Sequence, residues 1–311
     1  MENVKRLVVI YSPNSSRAKD FRRLHSNLLE IIKHRGWQIK LIELVDVPYR
    51  QAVKTITRQL KGGDLVLAAG GDGISQVAFN AVFTSQAEVF LAVAPLGNNN
   101  DIGRAFNGRH RSIFNILDQP AIDYFPMIVA TDKREAFAIA SYITFGATTI
   151  VVDYLNSDKG RKLRRCLKSI IPTAILSINQ LKTISKEIDK LDFPDFYRNG
   201  QLMTEDSIGF FIIPAAHNIL RLPKDVRKAA SEFFFHYAKT KDKNLGGKVT
   251  MSLKWLAKFP GEMTELEEIK FENNKADIVA NISGDNVNLG AINKINVVRS
   301  PRPVKVLFNS N

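Results

Sequence analysis

The residues at 70–73, Gly-Gly-Asp-Gly, have the types that bind a phosphate group. They follow an apolar run at 65–69 and precede a helical pattern that begins near Ser75. Glycines let the backbone approach a phosphate closely, and the unpaired N–H groups of a following helix attract the anion. Asp72 suits this loop if it holds a magnesium ion or accepts a proton from an attacking hydroxyl. We therefore predict a phosphate-binding loop here, with an ordinary strand-to-helix turn as the alternative.

A second loop, Pro-Leu-Gly-Asn-Asn-Asn-Asp at 95–101, follows the apolar strand pattern at 89–94. If the two strands run parallel, both loops leave the same edge of the sheet, where α/β proteins bind their ligands. Together the loops would line one crevice with glycine backbone, amides and the carboxylates of Asp72 and Asp101. Taken alone, the second loop is explained equally well as a turn in which Asp101 caps a helix.

The first third of the chain alternates strand patterns with helix patterns. Apolar runs at 7–11, 65–69 and 89–94 indicate buried strands, and residues 37–41 alternate as a half-buried strand does. Apolar residues at helical spacing lie between these segments. Because strands separated by helices require crossover connections, we predict a parallel α/β nucleotide-binding domain over residues 1–121.

The pattern changes near residue 120, where extended segments follow one another without regular helices. These segments lie at 121–124, 127–130, 136–144, 208–213, 248–253, 266–271 and 277–282. We predict a second, mostly antiparallel β-rich domain over 122–290, with a helical insertion near 160–184. The C-terminal segment 291–311 is predicted to return to the first domain and complete it.

The two loops resemble the motifs of the diacylglycerol kinase catalytic family, which includes bacterial lipid kinases and sphingosine and ceramide kinases. The family pattern is GGDGT, then PLGTGND further along, followed by an apolar pair and an arginine. Residues 70–73 and 95–101 align with these motifs, and Arg104 matches the arginine. Residues 11–17, Tyr-Ser-Pro-Asn-Ser-Ser-Arg, resemble the family's strand-ending N-P-x-x-G-K loop.

The resemblance implies a kinase that transfers the γ-phosphoryl group of ATP to a lipid hydroxyl with Mg²⁺, in an NAD kinase/diacylglycerol kinase-like fold. It implies that the nucleotide lies between the two domains. Carried over by position, the nucleotide contacts are Ser12, Arg17, Gly70, Gly71, Gly73, Ile74, Gly97, Asn98 and Asn100. Asp72 and Asp101 would organise the magnesium ion, and these two residues together with Asp285 form the predicted catalytic set. Such chemistry depends mainly on positioning and charge neutralisation.

Several positions depart from the family pattern. Ile74 replaces a threonine whose hydroxyl would face the phosphates, and Ser12 replaces the asparagine of the first motif. Near the end of the second domain, Ile-Ser-Gly-Asp at 282–285 stands where the family shows Asp-Gly-Glu, so Ser283 occupies the position of the expected base. Serine cannot accept a proton at neutral pH without an activating base of its own. We therefore predict that Asp285 acts in its place.

The chain has 311 residues and a formal net charge of +13. Positive charge favours anionic partners such as phospholipid surfaces, nucleotides and nucleic acids. A basic stretch near 159–174 has an apolar side, which suits a helix lying on an anionic membrane; a solvated helix face is the alternative. Because no basic–aromatic recognition motif accompanies the charge, we do not expect nucleic acid as a partner.

The single cysteine, Cys166, excludes a disulfide within the chain and suits a reducing compartment. Neither a signal-peptide pattern nor an apolar run of membrane-spanning length is recognisable. We therefore expect a cytoplasmic protein that associates peripherally with membranes and takes a lipid substrate. The oligomeric state stays open, with a homodimer as one alternative.

Two other functions fit part of the sequence. A catalytically impaired homologue that binds nucleotide and docks on membranes is suggested by Ser283 and Ile74. NAD kinase shares the Gly-Gly-Asp-Gly loop and the two-domain plan. Against it, the downstream Asn-Glu pair and the Gly-x-x-Leu-Gly-Phe stretch of NAD kinases are not found in this sequence.

Overall fold

The strands in the described part of the chain form three sheets of six strands each. A computed structural model describes residues 4–13, 18–96, 101–107, 112–133, 136–140, 142–157, 183–191, 193–203, 207–214, 233–239, 262–264, 266–272, 274–283 and 285–308. In this part of the chain, sheet A builds the first domain, and sheets B and C build the second.

The first domain alternates strands and helices as predicted. In chain order they are β1 (Arg6–Tyr11), α1 (Ala18–Arg35), β2 (Gln38–Glu43), α2 (Tyr49–Thr57), β3 (Asp64–Gly70), α3 (Asp72–Thr84), β4 (Phe90–Pro95), α4 (Asp101–Asn107), α5 (Ile113–Leu117) and β5 (Ala121–Tyr124). On β1, Leu7 and Val9 pack with α1 and α5, whereas Val8 and Ile10 pack with α2 and α3. The sheet is therefore covered by helices on both faces, which explains its continuous apolar runs.

The second domain is antiparallel. Its elements are β6 (Met127–Thr131), β7 (Ala136–Ile139), β8 (Ile143–Gly146), α6 (Ala147–Asn156), β9 (Phe196–Arg198), β10 (Gln201–Met203), β11 (Ser207–Pro214), β12 (Phe233–Lys239), β13 (Glu262–Thr264), β14 (Leu266–Phe271), β15 (Val279–Ile282), β16 (Asp285–Asn288), β17 (Lys294–Arg299) and β18 (Val304–Leu307), the last of which returns to sheet A. Sheet B has the order β10-β9-β14-β17-β6-β7 and sheet C the order β13-β12-β11-β8-β15-β16. The predicted fold class, α/β followed by a β-rich domain, is confirmed.

Sheet A has the order β2-β1-β3-β4-β18-β5. The strands β1 to β4 run parallel, β18 joins parallel to β4, and β5 closes the sheet antiparallel to β18. The strand β18, late in the chain, therefore lies in the sheet of the first domain. The first domain also includes β5, so its boundary falls a few residues beyond the predicted position at 121.

The strand β17 differs from the prediction, which assigned the whole segment 291–311 to the first domain. It lies in sheet B, where it pairs antiparallel with β14 and β6. Ile295 and Val297 are fully buried on one of its faces. An alternating strand shows in sequence that one face is buried, but the sheet that covers that face depends on residues far away in the chain.

Sheets B and C pack on each other through phenylalanine rings. Phe145 and Phe210 of sheet C have ring centroids 4.5 Å apart, and Phe196 of sheet B lies 5.2 Å from Phe210. All three side chains are fully buried. Phe193 and Phe271 extend the cluster with edge-on contacts. Aromatic pairs in such tilted arrangements stabilise a core beyond the area that they bury.

The predicted helical insertion near 160–184 lies almost entirely outside the described residues. On its two sides, α6 and residues 183–189 are helical, and Ala147, Ile184 and Ile188 form a small buried cluster between them. Across the described ranges, no helix has both the length and the apolar character needed to cross a membrane.

Arg198 and Glu267 form a buried ion pair in sheet B that allows a test of the fold. Arg198 Nε donates to Glu267 Oε2 at 2.9 Å, and its Nη2 donates to Oε1 of the same carboxylate. Glu267 is fully buried. Since Arg198→Ala leaves this carboxylate without its cation, we expect the free energy of unfolding to fall by about 3–5 kcal/mol in urea denaturation.

The exposed ion pair between Lys305 and Glu88 provides the control. Lys305→Ala should leave the urea midpoint almost unchanged, because exposed pairs contribute little to stability. Equal losses in the two variants would contradict the stabilising role assigned to the buried pair.

Candidate functional site

The glycine loop follows β3 and forms the start of α3. Gly71 is the N-cap in an extended conformation, and the helix begins at Asp72, earlier than the predicted start near Ser75. Ser75 holds the first turn, because its N–H and its hydroxyl both donate to the Gly71 carbonyl oxygen at 3.0 Å. Asp72 and Gly73 therefore lie in the turn whose N–H groups have no helical partner and can bind an anion.

Gly70 allows Ile74 to pack over the end of β3. A Cβ atom at Gly70 would lie 2.7 Å from Ile74 Cβ, which is closer than real Cβ contacts come. The Ile74 side chain in turn packs against the large hydrophobic core of the protein. Since that side chain is engaged in packing, the nucleotide contact predicted for residue 74 would have to come from its main chain.

Two hydrogen bonds join the glycine loop to the second predicted loop. Gly70 pairs with Pro95 in the parallel register, and the N–H of Leu96 donates to Gly70 O at 2.9 Å. Asp72 is buried, and its Oδ1 accepts the N–H of Ile102 at 2.9 Å. The prediction that both loops leave the same edge of the sheet is confirmed. Asp72 therefore ties the start of α3 to the start of α4.

The other predicted nucleotide residues are only partly described. Ser12 directly follows β1, whose last residue, Tyr11, pairs with Ala69, so Ser12 lies at the same edge as Gly70. Asp101 is the first residue of α4, which gives its backbone position. Arg17, Gly97, Asn98 and Asn100 lie outside the described residues.

Asp285 reaches the glycine loop from the second domain. It is the first residue of β16, at the edge of sheet C. A Cβ atom at Gly73 would lie 3.1 Å from Asp285 Oδ2, so the carboxylate lies against the first turn of α3 where glycine leaves room. Burial raises the pKa of Asp285 to about 6, because a low-dielectric environment disfavours the charged form. A carboxylate with this pKa is suited to accept a proton near neutral pH.

Ser283 lies close to Asp285 in the chain but makes different contacts. Its φ of 53° is in the left-handed region, which is uncommon for residues other than glycine. Its hydroxyl donates to Gln76 Oε1 at 3.2 Å, and its N–H donates to Tyr142 O at 3.1 Å. An amide oxygen is not a base, so this bond does not activate the hydroxyl for proton transfer.

The sequence analysis missed two buried amides on α3, Gln76 and Asn80. Gln76 Nε2 donates to Ala138 O at 2.6 Å, and Gln76 Oε1 accepts the N–H of Ala140 at 3.0 Å. Asn80 Oδ1 accepts the N–H of Ala138 at 2.9 Å, and Asn80 Nδ2 donates to Ala138 O at 2.7 Å. The available signal was their spacing: two amides one helical turn apart on an otherwise apolar helix.

Tyr49 of α2 extends this polar cluster. Its hydroxyl accepts a hydrogen bond from Asn80 Nδ2 at 2.8 Å. Burial raises the pKa of Tyr49 above its ordinary value, and the nearby carboxylate of Asp285 raises it further. The hydroxyl therefore stays protonated at physiological pH.

A magnesium ion at this edge would need some of its ligands from a bound nucleotide. Among the residues that the structure describes, no cluster of three or more acidic, histidine or cysteine side chains could hold a metal ion. Asp72 offers one carboxylate, whose Oδ1 already accepts the N–H of Ile102. Since Mg²⁺ in phosphoryl-transfer sites takes only one or two protein carboxylates besides phosphate and water oxygens, these residues fit a nucleotide-bound ion.

Comparison with known proteins gives a family match for the first domain. Residues 6–121 match the family model of the diacylglycerol kinase catalytic domain. The crystal structure of a diacylglycerol kinase from Bacillus anthracis strain Sterne is similar with a TM-score of 0.58 at 12% identity, covering 98% of this chain and 97% of that chain. No curated protein matches the chain.

Two further structures from the same strain have TM-scores of 0.57, at 13% and 14% identity, and cover 98% and 99% of this chain and the same shares of their own. At such identities the neighbours establish the fold alone. The family match runs from the start of β1 to the start of β5 and includes both loops that meet at the edge of sheet A. Residues 6–121 therefore match the model of the diacylglycerol kinase catalytic-domain family, and the chain shares its fold along nearly its whole length with the Bacillus anthracis structures.

Proposed function

We propose that this protein is a lipid kinase that transfers the γ-phosphoryl group of ATP to a lipid hydroxyl. The observation that carries the proposal is the approach of Asp285 to Gly73, which brings a carboxylate of the second domain against the glycine loop of the first. A hydroxyl bound beside Asp285 would lie near both a base and the N-terminus of α3. The family of the first domain supports the reaction class.

The first domain would bind the nucleotide. Main-chain N–H groups at 71–73 would donate to phosphate oxygens at the start of α3. Asp72 and Asp101 would hold Mg²⁺, which neutralises charge on the phosphates. The remaining contacts of the proposal are those predicted from the sequence: Ser12, Arg17, Ile74, Gly97, Asn98 and Asn100.

Asp285 would act as the general base. As the lipid oxygen forms its bond to the γ-phosphorus, the bond from that phosphorus to the bridging oxygen of ADP breaks, and ADP leaves. The proton of the lipid hydroxyl passes to a carboxylate oxygen of Asp285. With a pKa of about 6, this carboxylate is largely ionised at neutral pH and still basic enough to take the proton.

The acceptor would be a diacylglycerol-like or sphingoid-like lipid taken from a membrane surface. The net charge of +13 favours contact with an anionic bilayer. The proposal includes a cytoplasmic protein that docks peripherally on the membrane. The basic stretch that prompted this part of the proposal lies mostly outside the described residues.

A second candidate is a homologue that binds nucleotide but transfers no phosphoryl group. The contact that favours it is the hydrogen bond from Ser283 to Gln76. Ser283 stands at the position of the family's base, and this bond leaves its hydroxyl unactivated. The packing of Ile74 on the core, in place of a hydroxyl at the phosphates, points the same way.

Transfer of labelled phosphate tests the choice between the two. In mixed micelles with diacylglycerol, sphingosine or ceramide, we expect wild-type protein to label one lipid class with MgATP. Asp285→Asn should lower kcat by about 10²–10⁴-fold, because it removes the base. Asp72→Asn should also lower turnover strongly, because the amide keeps an acceptor for Ile102 but removes the negative charge that would bind Mg²⁺.

Asp277 provides the matched control for this experiment. It is exposed, lies beside the same β15–β16 hairpin, and accepts a hydrogen bond from Asn288. Asp277→Asn should keep the wild-type rate. ATP binding without any labelled lipid would favour the second candidate, and full activity of Asp285→Asn would exclude Asp285 as the base.

The raised pKa of Asp285 predicts a stability change of definite sign. Its ordinary pKa is 3.8 and its folded pKa is about 6, so the folded protein binds this proton more tightly than the unfolded chain. The free energy of unfolding therefore falls as pH rises through the window between these values. At pH 7 we expect Asp285→Asn to be more stable than wild type by on the order of 2–3 kcal/mol.

Thermal unfolding of both proteins across this pH range measures the effect. The gap between Asp285→Asn and wild type should shrink as the pH falls and close below about pH 3, where wild-type Asp285 is protonated in both the folded and the unfolded state. A gap that stays constant from pH 4 to pH 7 would show that the ionisation of Asp285 is not its cause.

Membrane docking is tested by flotation with lipid vesicles. We expect the protein to float with vesicles rich in phosphatidylglycerol and not with pure phosphatidylcholine, because its charge favours anionic lipid. Raising the salt concentration to about 1 M should release it, since the Debye length falls to about 3 Å. Equal binding to both vesicle types would exclude charge as the basis of docking.

A further inference from the structure

The outer edge of sheet B is hydrogen-bonded to a helix of the other domain. Among the strands that the structure describes, β7 is the last of that sheet, so within this part of the chain no strand pairs with the main-chain groups on its outer side. Ala138 and Ala140 direct these groups at α3, where the amides of Gln76 and Asn80 bind them. The two amides thus fix α3 against the second domain.

Gln76 makes one hydrogen bond that Asn80 does not make. Besides its two bonds to β7, Gln76 Oε1 accepts the hydroxyl proton of Ser283 at 3.2 Å. Ser283 lies in the turn of the β15–β16 hairpin, since Ile282 and Asp285 pair across that turn. Asn80 Nδ2 donates to the hydroxyl of Tyr49, a side chain with which Gln76 also interacts. Only Gln76 of these two amides is therefore bonded to the turn that carries Asp285.

We propose that Gln76 is a positioning residue that holds Asp285 against Gly73; this role rests on the proposed kinase function. Gln76 lies about one helical turn beyond Gly73 on α3, so the two move as one rigid unit. Its bond to Ser283 sets the distance between that turn of helix and the hairpin turn. A displacement of the carboxylate by about 1 Å from a productive position can cost about 10²-fold in rate.

The experiment compares two amides that make the same number of bonds to β7. Gln76→Met and Asn80→Leu keep the approximate side-chain shape and each remove two bonds to that strand. Because both leave buried main-chain groups unpaired, we expect similar losses in Tm. A purely structural role would then predict similar losses of activity, measured well below the Tm of either variant.

The positioning role predicts different kinetics for the two variants. Gln76→Met should lower kcat by about 10–100-fold while changing the KM for ATP by less than about threefold, because the nucleotide loop stays intact. Asn80→Leu should lower kcat by less than about threefold under the same conditions. Equal reductions of kcat in the two variants would overturn the proposal.

Ser283→Ala gives a second test that does not depend on the stability of the Gln76 variant. It removes one hydroxyl and leaves both amide bonds to β7 in place. We expect a lower kcat with an unchanged Tm, and no further loss when Ser283→Ala is combined with Gln76→Met, since both break the same link. Additive losses in the double variant, or wild-type kcat in Ser283→Ala, would count against the link.

A second measurement distinguishes failure of the kinase function from failure of the link between Gln76 and Ser283. If wild-type protein labels no lipid, the proposed function fails, and amide hydrogen exchange then tests the link alone. In Ser283→Ala, the main-chain N–H of residue 283, which donates to Tyr142 O in the turn before Asp285, should exchange faster than in wild type. Unchanged exchange there would refute the link whether or not the protein is a kinase.

Discussion

The structure depends on one constraint, which is that the buried main-chain groups on the outer side of β7 need hydrogen-bond partners. A sheet edge is usually blunted or covered, because unpaired N–H and C=O groups are costly away from water. Here a helix of the other domain covers the edge, and the side-chain amides of Gln76 and Asn80 make the hydrogen bonds that a neighbouring strand would otherwise make. The same helix begins with the glycine loop, so the junction of the domains and the candidate site share one rigid element.

Two carboxylates of the second domain, Glu267 and Asp285, differ in what their surroundings do to the charged form. Glu267 accepts hydrogen bonds from Arg198 and Asn199, so its burial stabilises sheet B. The pKa of Asp285 is set mainly by desolvation, which raises it to about 6. Burying a carboxylate in this way costs stability, and such a cost is typical of groups that transfer protons.

Part of this arrangement could be read from local sequence. The apolar runs before Gly70 and Pro95 predicted buried parallel strands, and parallel strands bring their carboxyl ends to one edge. That is why the meeting of the two loops was foreseen. The assignment of β17 to the first domain was wrong, because an alternating strand shows that one of its faces is buried but not which sheet it joins.

The sequence by itself determined the α/β start and the position of the glycine loop between a strand and a helix, because periodicity and glycine spacing act within a few residues. Asp285 was named as the candidate base through the family resemblance at 282–285. Only the tertiary structure decided that Asp72 bonds to Ile102, that Ser283 bonds to Gln76, and that Asp285 lies against Gly73. These contacts join residues far apart in the chain. Which partners meet is set by strand order and sheet packing, which no local pattern of residues encodes.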